Sequence, residues 1–479
     1  MDADAARLLT ERIYIRLSNR RPDIEKAENY YEGNQPLSFA TEEWKKANAA
    51  RYSGFSDNWC GTIVNAEAER LSPIGVTGLA DKKAASALWD QLLYNEFDMQ
   101  FSQGVITTLA AQRSYVIVWG DKDGEPIVTF EHPANVEIEY DWENPRLRKA
   151  ALKTWVDESL EYATLYTPQE VWKWQRPRQT PKNDRESQAE QSKTGYAADG
   201  GWVPREMTGD DSWIVYNPLG VVPVVEIGNR PTLKGDPISE IQGVMPMQDA
   251  INLLWAYLFL SADYASMPAR VLLGADPPKI PILDADGKVI GTRPVDMKDL
   301  AEKRLFTVSG ENAKIDSWEA ARLDVFTQTI EIAVGHIAAQ TRTPPHYLVA
   351  NKGISNLSGD ALKSAEIGLT QKANEFITFT DPQLREVLRL VALVQGKTEL
   401  AQEVRLAKIA WKNTEIRSEA QMADALLKKK QMGYPLEYLM ELDNVDPATI
   451  MRVLEMAKAE QTDPQIEAAL RGFENAPVS

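Results

Sequence analysis

The segment from Arg322 to Val394 constrains the fold of this 479-residue chain more than any other stretch. Its first part has the 3.6-residue period of a helix that is apolar on more than one face. One apolar row contains Leu323, Phe326, Ile330, Val334 and Ile337, and a weaker second row contains Val325, Ile332 and Ala339. A narrow polar face contains Asp324, Gln328, Glu331 and Arg342. Such a helix needs more than one apolar neighbour, so we expect it to pack against several other elements.

The first helix ends at a pair of prolines, and a second long helix follows after a polar segment. Pro344 and Pro345 end the first helix, because proline lacks the amide donor and clashes with the preceding turn. The next stretch, from Asn351 to Gly359, is small, polar and flexible in composition, and Ser358 is the predicted cap of the second helix. The predicted buried row of that helix is Leu362, Ala365, Leu369, Ala373, Phe376 and Ile377. Asp381-Pro382 is interpreted as a cap and first-turn proline that restart the chain.

Length and charge limit the class of protein. At about 150 residues per domain, the length predicts roughly three domains. The formal charge of −17 disfavours a protein that grips a phosphate backbone over a broad surface. The single Cys60 excludes an intrachain disulfide framework and fits a reducing compartment. The N-terminus lacks signal-peptide regions, and the apolar run from Ala250 to Leu260 is too short to span a bilayer, so we expect an intracellularly made protein without a membrane role.

Helical and strand patterns divide the rest of the chain. Two short helices are expected between residues 7 and 31, separated at Arg21-Pro22, with further helices at 59–71, 84–94 and 99–111. Alternating apolar residues predict strands from Tyr115 to about residue 175, followed by a polar surface excursion over 176–201. A second long apolar helix is predicted from Pro237 to Met267, with Pro246 as a candidate kink. A β-rich stretch covers 271–317, and helices between Ser418 and Glu460 end the pattern.

The sequence contains no motif that predicts catalysis. It lacks a G-x-x-x-x-G-K-[ST] phosphate loop, an H-E-x-x-H pair and a G-x-S-x-G elbow, which excludes a conventional P-loop motor ATPase. The Asp-x-Asp-Gly sequences at Asp121 and Asp284 lack the full ligand set of a calcium loop and predict hairpin turns. His132, His336 and His346 show no catalytic partner pattern. We therefore predict no catalytic residue, no metal ligand and no cofactor.

The order of elements, together with several diffuse motifs, resembles the portal proteins of tailed double-stranded DNA phages. The resemblance is to the branch found in siphophages of Gram-positive hosts and covers nearly the whole chain. It rests on Tyr30-Tyr31-Glu32-Gly33, on Asn58, Asn65, Glu69, Arg70, Leu71 and Gly75, and on Asn217-Pro218-Leu219-Gly220 with Val222-Pro223-Val224-Val225. Its strongest segment is Thr343-Pro344-Pro345-His346-Tyr347-Leu348, then Asn351, Ser358-Gly359-Asp360-Ala361-Leu362 and Glu366. The C-terminal part contributes Trp411, Ser418, Ala420, Ala423, Asp424, Gly433, Pro435 and Glu437.

The resemblance implies an α+β, portal-type fold with a mixed wing, a two-helix stem, a small β-rich clip and a helical crown. The implied boundaries are a wing at 1–235, stem helix one at 236–268, a clip at 269–319, stem helix two at 320–346, a tunnel loop at 347–359, a long wing helix with its return at 360–411, and a crown with its tail at 412–479. It implies a structural protein without enzyme activity.

The resemblance also implies partners and site residues. The expected assembly is a homo-oligomeric ring, typically dodecameric, at the capsid vertex of a virion assembled in the host cytoplasm. Double-stranded DNA passes through its channel, and the terminase large subunit, a head-completion or adaptor protein, the major capsid protein and the scaffold protein contact it. The implied tunnel-loop residues facing DNA are Asn351, Lys352, Ser355, Asn356 and Ser358. The implied clip docking residues are Asp284, Asp286, Lys288, Arg293 and Asp296.

The residues of the long helix suggest one further hypothesis, and two alternative classes of protein stay open. Asp324, Gln328 and Glu331 would face the channel, where an acidic row repels phosphates and keeps DNA sliding. One alternative is a different structural protein of the virion, which would not need two helices bracketing a compact β insertion. The other is an enzyme of unknown type that uses the strand-rich half.

Overall fold

The structure is a computed structural model. It describes residues 1–35, 46, 55–157, 160–177, 201–207, 209, 211–266, 270–273, 279–294, 314–317, 322–348, 359–415 and 419–462. The chain divides into two compact units. The first comprises Met1–Pro36, Ser56–Gln248 and Val334–Ser479, and the second comprises Leu37–Phe55 and Asp249–Ala333. The polar excursion predicted at 176–201 falls almost entirely outside the described residues.

The N-terminal part of the first unit contains four helices among its described residues, followed by strands. The helices are α1 (Ala3–Glu32), α2 (Trp59–Ala68), α3 (Lys82–Tyr94) and α4 (Phe97–Ala111). The strands are β1 (Pro73–Thr77), β2 (Arg113–Gly120), β3 (Pro126–Glu131), β4 (Val136–Tyr140), β5 (Arg148–Asp157), β6 (Leu160–Tyr166), β7 (Glu170–Pro177), β8 (Val203–Pro204), β9 (Ile214–Tyr216) and β10 (Val224–Gly228).

The later elements include the two long helices that contribute residues to both units. These are α5 (Met245–Ser266) and α6 (Leu323–Thr341). Between them lie β11 (Arg270–Leu273), β12 (Lys279–Leu283), β13 (Val289–Pro294) and β14 (Lys314–Ser317). The chain continues with α7 (Pro345–Leu348), α8 (Gly359–Val394), α9 (Thr398–Glu403), a 3₁₀ turn (Val404–Leu406), β15 (Lys408–Trp411), α10 (Glu419–Gln431), α11 (Leu436–Leu442) and α12 (Pro447–Thr462).

Antiparallel pairing accounts for all the described sheets. Strands β4, β5, β6, β7 and β8 pair in that order, and β9 also pairs with β7. A second sheet has the order β10, β2, β3, and β1 pairs with β15. The turn between β2 and β3 is the predicted hairpin, because Asp121 Oδ1 accepts hydrogen bonds of 2.8 Å from the amides of Asp123 and Glu125. Helices and antiparallel sheets together confirm the α+β class.

The core under the largest sheet is built from α1 and the inward residues of β5, β6 and β7. Its buried members are Ala6, Ile13, Ala150, Leu152, Ala163, Leu165, Trp172, Trp174 and Trp202. Charged side chains of α1 bind the edge of the same sheet: Arg12 pairs with Glu139, and Arg20 pairs with Glu137. Apolar burial and edge pairing therefore hold α1 along the sheet.

The prediction of two short helices at residues 7–31 was wrong, because α1 continues through Pro22. Proline removes a single backbone hydrogen bond from a helix. Neighbouring side chains offset the free-energy cost with contacts to the rest of the fold. Arg20 Nη2 donates to the carbonyls of Pro133 at 2.9 Å and Val136 at 2.7 Å, and Arg21 Nε donates to Ala134 O at 2.9 Å. Tertiary contacts thus keep the helix continuous through Pro22, which by itself disfavours a helix.

The restart predicted at Asp381-Pro382 was wrong for the same kind of reason. Helix α8 runs through Pro382, and Asp381 does not cap a new helix. Its carboxylate accepts from the amide of Ile409 at 3.1 Å and pairs with Arg385 at 3.1 Å. Leu384, Val387 and Leu388 are buried just beyond the proline, so packing keeps the backbone helical there.

The other predicted helices differ from the structure at their ends, and the short helices α7 and α9 were not predicted. The helix predicted from Pro237 begins at Met245, which leaves Pro246 in its first turn, where a proline needs no kink. Helix α6 ends at Thr341, ahead of the proline pair, through Arg342 in the left-handed conformation and a 3.1 Å bond from the Thr343 amide to Ala338 O. Gly433 and Asp446 end and cap the C-terminal helices as predicted.

The second unit includes most of α5, the first half of α6 and the strands between them. Strand β11 pairs with β14, and β12 pairs with β13. Phe55 packs edge-on against Phe259, with ring centroids 5.2 Å apart, and against Trp255 at 6.2 Å. The strand predicted within RLFTV (304–308) lies outside the described residues.

Helix α4 packs so closely on β3 that Gly104 has no room for a side chain. A Cβ atom at Gly104 would lie 2.3 Å from Phe130 Cδ1. Phe130 belongs to an aromatic cluster with Phe97 and Phe101, at centroid distances of 5.7 Å and 6.1 Å. This contact joins the N-terminal helices to the second sheet.

We expect Gly104→Ala to lower the free energy of unfolding by about 1–3 kcal/mol, because the new methyl must displace a buried ring. Denaturant unfolding followed by tryptophan fluorescence measures the change. The matched control is Gln103→Ala on the exposed side of the same helix, which should stay within about 0.5 kcal/mol of wild type. Equal stability of the two variants would contradict the close approach.

Candidate functional site

Helix α6 presents three different faces. Ile330, Val334 and Ile337 are buried, as the first apolar row predicted. Val325 and Ile332 of the second apolar row are 51% and 61% exposed. At about 100° per residue, that exposed row lies nearly opposite the buried face. The predicted polar residues Asp324, Gln328 and Glu331 are exposed along a third row.

Asp324 has a local partner. Arg322 Nη2 and Nε donate to its carboxylate at 2.6 Å and 3.2 Å, and these hydrogen bonds lower the pKa of Asp324. The carboxylate therefore stays ionised at neutral pH, although its charge is partly balanced at the start of the helix.

The C-terminal end of α6 is held by a buried lysine. Lys372, on α8, is 1% exposed and donates to the carbonyl oxygen of Thr341 at 3.0 Å. Its Nζ also lies 3.0 Å from Glu67 Oε2 and 3.1 Å from Glu240 Oε2. An ammonium has three N–H donors, and three oxygen atoms surround this one. Because burial of an unpaired charge is costly, these contacts are what allow a lysine here.

Glu240 extends this group of charges. It lies five residues before α5 and pairs with Arg230, and it accepts a 2.8 Å bond from Asn229 Nδ2. Burial would raise the pKa of Glu240, but Lys372 and Arg230 outweigh it and the pKa is lowered. We call Glu67, Arg230, Glu240 and Lys372 the Lys372 cluster. It connects α2, the segment before α5, the end of α6 and α8.

Glu67 is the weakly stabilised member of the Lys372 cluster. It is fully buried, and neither carboxylate oxygen has a hydrogen bond of good geometry. Burial raises the pKa of Glu67 to about 7; Lys372 opposes this rise and Glu240 adds to it. Its protonation therefore changes near neutral pH.

Glu67→Gln should change how stability depends on pH. Between the ordinary value of 4.5 and about 7, the folded protein keeps a proton that the unfolded chain has released. This stabilising contribution is present at low pH and is lost as the pH rises through about 7, by at most about 1.4 kcal/mol per pH unit. Unfolding measured at pH 5.5 and pH 8 should show that the glutamine variant lacks this loss. Glu25→Gln, at an exposed position of α1, is the control and should follow wild type.

A second buried group surrounds Arg70, two residues after α2. Arg70 pairs with Glu366 on α8, donates to Tyr347 Oη at 3.0 Å and donates to Thr414 O at 2.9 Å. The other carboxylate oxygen of Glu366 lies 2.7 Å from His346 Nε2. We call Arg70, His346, Tyr347, Glu366 and Thr414 the Arg70 cluster.

The predicted buried row of α8 was partly wrong. Leu369, Ala373 and Phe376 are buried, but Ala365 is exposed, while Glu366 and Lys372 are buried. The predicted row contained only apolar residues, and charged residues are rarely buried without partners. The sequence does contain one sign of their burial. Glu366 and Lys372 each lie three residues from Leu369, which is the spacing of neighbours on one helical face.

The hairpin between β12 and β13 carries the described docking candidates. Asp284 is partly buried and its Oδ1 accepts from the amides of Asp286 at 3.0 Å and Lys288 at 2.9 Å, so its side chain shapes the turn. Asp286, Lys288 and Arg293 are exposed. Exposed apolar residues lie beside them, with Val289 at 57% and Ile290 at 66%.

The remaining predicted site residues lie outside the described residues. These are Asn351, Lys352, Ser355, Asn356 and Ser358 of the predicted tunnel loop, and Asp296 of the predicted clip. The structure therefore describes the β12–β13 hairpin, the polar row of α6, and the two elements that flank the predicted loop, α7 and α8.

Comparison with known proteins gives the family. The sequence matches the family described as "Phage portal protein, SPP1 Gp6-like" over residues 11–464. The chain belongs to this family of phage portal proteins. It is a structural component of a bacteriophage virion, and the portal family is a structural, non-enzymatic one.

Curated portal relatives agree with this assignment. The chain is 25% identical over 384 residues to the "Portal protein" of Mycobacterium phage L5, which covers 76% of this chain and 70% of that protein. It is 25% identical over 415 residues to the "Portal protein" of Mycobacterium phage D29, covering 80% and 77%.

Two solved structures show a distant likeness. One, "Neck of native GTA particle computed with C12 symmetry", has a TM-score of 0.43 and 11% identity, covering 83% of this chain and 92% of that one. The other, "Neck of empty GTA particle computed with C6 symmetry", has a TM-score of 0.44 and 11% identity, covering 82% and 90%.

Within the described part of this portal protein, no helix is both long and apolar enough to cross a bilayer. Over the same residues, His, Cys, Asp and Glu side chains form no group of three or more that could hold a metal ion.

Proposed function

We propose that this portal protein forms a closed ring, with about twelve copies, around a channel through which double-stranded DNA enters the capsid and later leaves it. Membership of the portal family supports the role at the capsid vertex. In this proposal the protein acts as a conduit without enzyme activity or cofactor, and it assembles in the host cytoplasm before it becomes part of the virion. Its wing spans 1–235 with the return at 360–411, and its crown spans 412–479.

The observation that carries the ring proposal is the exposed apolar row of α6. A helix with its buried row on one side and Val325 and Ile332 exposed on the other has a face left for a partner. In a ring, each copy meets two neighbours through different surfaces, and this row would cover part of a neighbouring copy. Tyr257 of α5, which is 37% exposed, is a candidate for the same interface.

The third face of α6 would line the channel. Asp324, Gln328 and Glu331 are exposed and lie roughly 80° from the exposed apolar row, so both faces can serve at once. An acidic wall repels phosphate groups, which lets DNA slide. The part of the predicted loop at 347–359 that lies between α7 and α8 would be nearest to DNA, with Lys352 as its single cation. A weak grip suits a chain of charge −17.

The β12–β13 hairpin would dock the terminase large subunit during packaging and a head-completion or adaptor protein afterwards. Exposed charges beside exposed apolar side chains are typical of a transient docking surface. Major capsid and scaffold proteins would contact other surfaces during assembly.

Ile332→Glu should prevent ring formation without unfolding the chain. The residue is already 61% exposed, so the isolated subunit tolerates a charge there, whereas an interface would bury it unpaired. Light scattering and negative-stain images of the purified protein should show a ring for wild type and single chains for the variant. Gln328→Glu adds the same charge one turn away on the polar row and should still form rings. Rings from Ile332→Glu would refute the proposed interface.

Charge reversal on the hairpin should abolish docking and leave the ring intact. The variant combines Asp286→Lys, Lys288→Glu and Arg293→Glu, and it spares Asp284 because that carboxylate holds the turn. Binding of the purified terminase large subunit to rings should weaken at least tenfold. The control reverses Lys122 and Asp123 in the equivalent turn between β2 and β3, where docking should be unaffected. Unchanged binding by the hairpin variant would remove the docking assignment.

A further inference from the structure

The Arg70 cluster joins elements that are remote in sequence through a single side chain. Arg70 is 8% exposed, and its two terminal nitrogens contact Glu366 and Tyr347 on one side and Thr414 on the other. A further contact, of 3.5 Å, runs from Nη1 to Thr370 Oγ1. These partners lie on α7, on α8 and in the segment that leads from β15 to α10.

Guanidinium is the group that suits this geometry. Its planar fork presents several fixed donors at once, whereas a lysine ammonium is a compact point charge with three. Glu366 completes the arrangement, because one of its oxygens meets Arg70 and the other lies 2.7 Å from His346 Nε2. Thr414 is held a second time, since its hydroxyl bonds Asn374 Oδ1 on α8 at 3.0 Å.

Helix α7 depends on these side-chain contacts. It has only four residues, and a single turn of helix has little stability of its own. It follows α6 after three residues, so its position fixes the direction that the chain takes after α6. Thr414 likewise lies just before the C-terminal helices α10, α11 and α12. Both junctions are therefore fixed to α8 by the same pair of charges.

We propose that Arg70 and Glu366 are positioning residues for DNA passage. They hold the exit of α6 and the entry to the C-terminal helices in one arrangement, so that a displacement at one junction is resisted at the other. This inference rests on the proposed role as a DNA conduit. Neither residue needs to touch DNA.

Two variants weaken the Arg70 cluster in different ways. Arg70→Lys keeps the charge but loses the fork, and Glu366→Gln keeps the shape but loses the charge. Tyr347→Phe removes a single hydroxyl and serves as the mildest change if either of the others fails to fold. The matched control is Glu386→Gln, which removes the carboxylate of another Arg–Glu pair on α8, formed with Arg148.

Hydrogen–deuterium exchange on purified rings tests the coupling without any DNA. In Arg70→Lys and Glu366→Gln, exchange should rise together at residues 345–348 and 412–415, whereas Glu386→Gln should leave both unchanged. A rise at only one of the two segments, or at neither, would overturn the inference whatever the protein conducts.

Complementation of a phage lacking its portal gene tests the consequence. Heads made with Arg70→Lys or Glu366→Gln should contain at least tenfold less DNA than heads made with wild type, with normal ring assembly, and Glu386→Gln should package normally. Coupled exchange with normal packaging would overturn the positioning role but leave the conduit in place. DNA-filled heads in the absence of any portal protein would instead refute the proposed function itself.

Discussion

The buried ammonium of Lys372 is the interaction on which the rest of the structure depends. It lies between Glu67, Glu240 and the last carbonyl oxygen of α6, with one oxygen atom of each within 3.1 Å of Nζ. Removing one partner of such a buried group typically costs about 3–5 kcal/mol, because the remaining charges have no access to water. The Lys372 cluster thereby joins four separate segments, α2, the segment before α5, the end of α6 and α8, around one buried charge.

Helix α8 combines a buried apolar row with buried charged residues beside it. Leu369, Ala373 and Phe376 are completely buried, and charged residues stand at the edges of that row. Lys372 contacts the last carbonyl oxygen of α6 and Glu240 in the segment before α5. Glu366 contacts Arg70 and His346 of α7, and Arg70 in turn contacts Thr414 in the segment that leads to the C-terminal helices. Apolar burial supplies most of the stabilisation of such a helix, whereas the paired charges determine which neighbours it accepts. The helix thus combines a buried apolar row with charged residues that bind α2, the end of α6 and the segment before α5.

Exposed surfaces of the isolated chain fit the role of a portal subunit. The apolar row containing Val325 and Ile332 has no cover within the described chain, and the hairpin between β12 and β13 presents Val289 and Ile290 beside charges. The edge strand β3, by contrast, is covered by side chains. The backbone amides of Val128 and Phe130 donate to the side-chain oxygens of Asn95 and Gln100, so these groups are not left free to pair with another strand. The chain thus protects a sheet edge and leaves a helix face open. That contrast agrees with the proposal that this helix face meets other copies of the chain.

The sequence by itself determined the α+β class, the two long apolar helices, the β-rich stretch between them, both Asp-x-Asp-Gly hairpins and the family. These follow from periodicity, turn chemistry and residue order, which act over a few neighbouring residues. It could not determine that Pro22 and Pro382 lie inside continuous helices, because the contacts that compensate them come from Ala134, Val136 and Ile409 far along the chain. Nor could it assign Glu366 and Lys372 to the interior, since a charged residue is buried only where its partners converge. Glu67, Arg70 and Glu240 meet α8 across more than a hundred residues of chain, and only the tertiary structure brings those charges together.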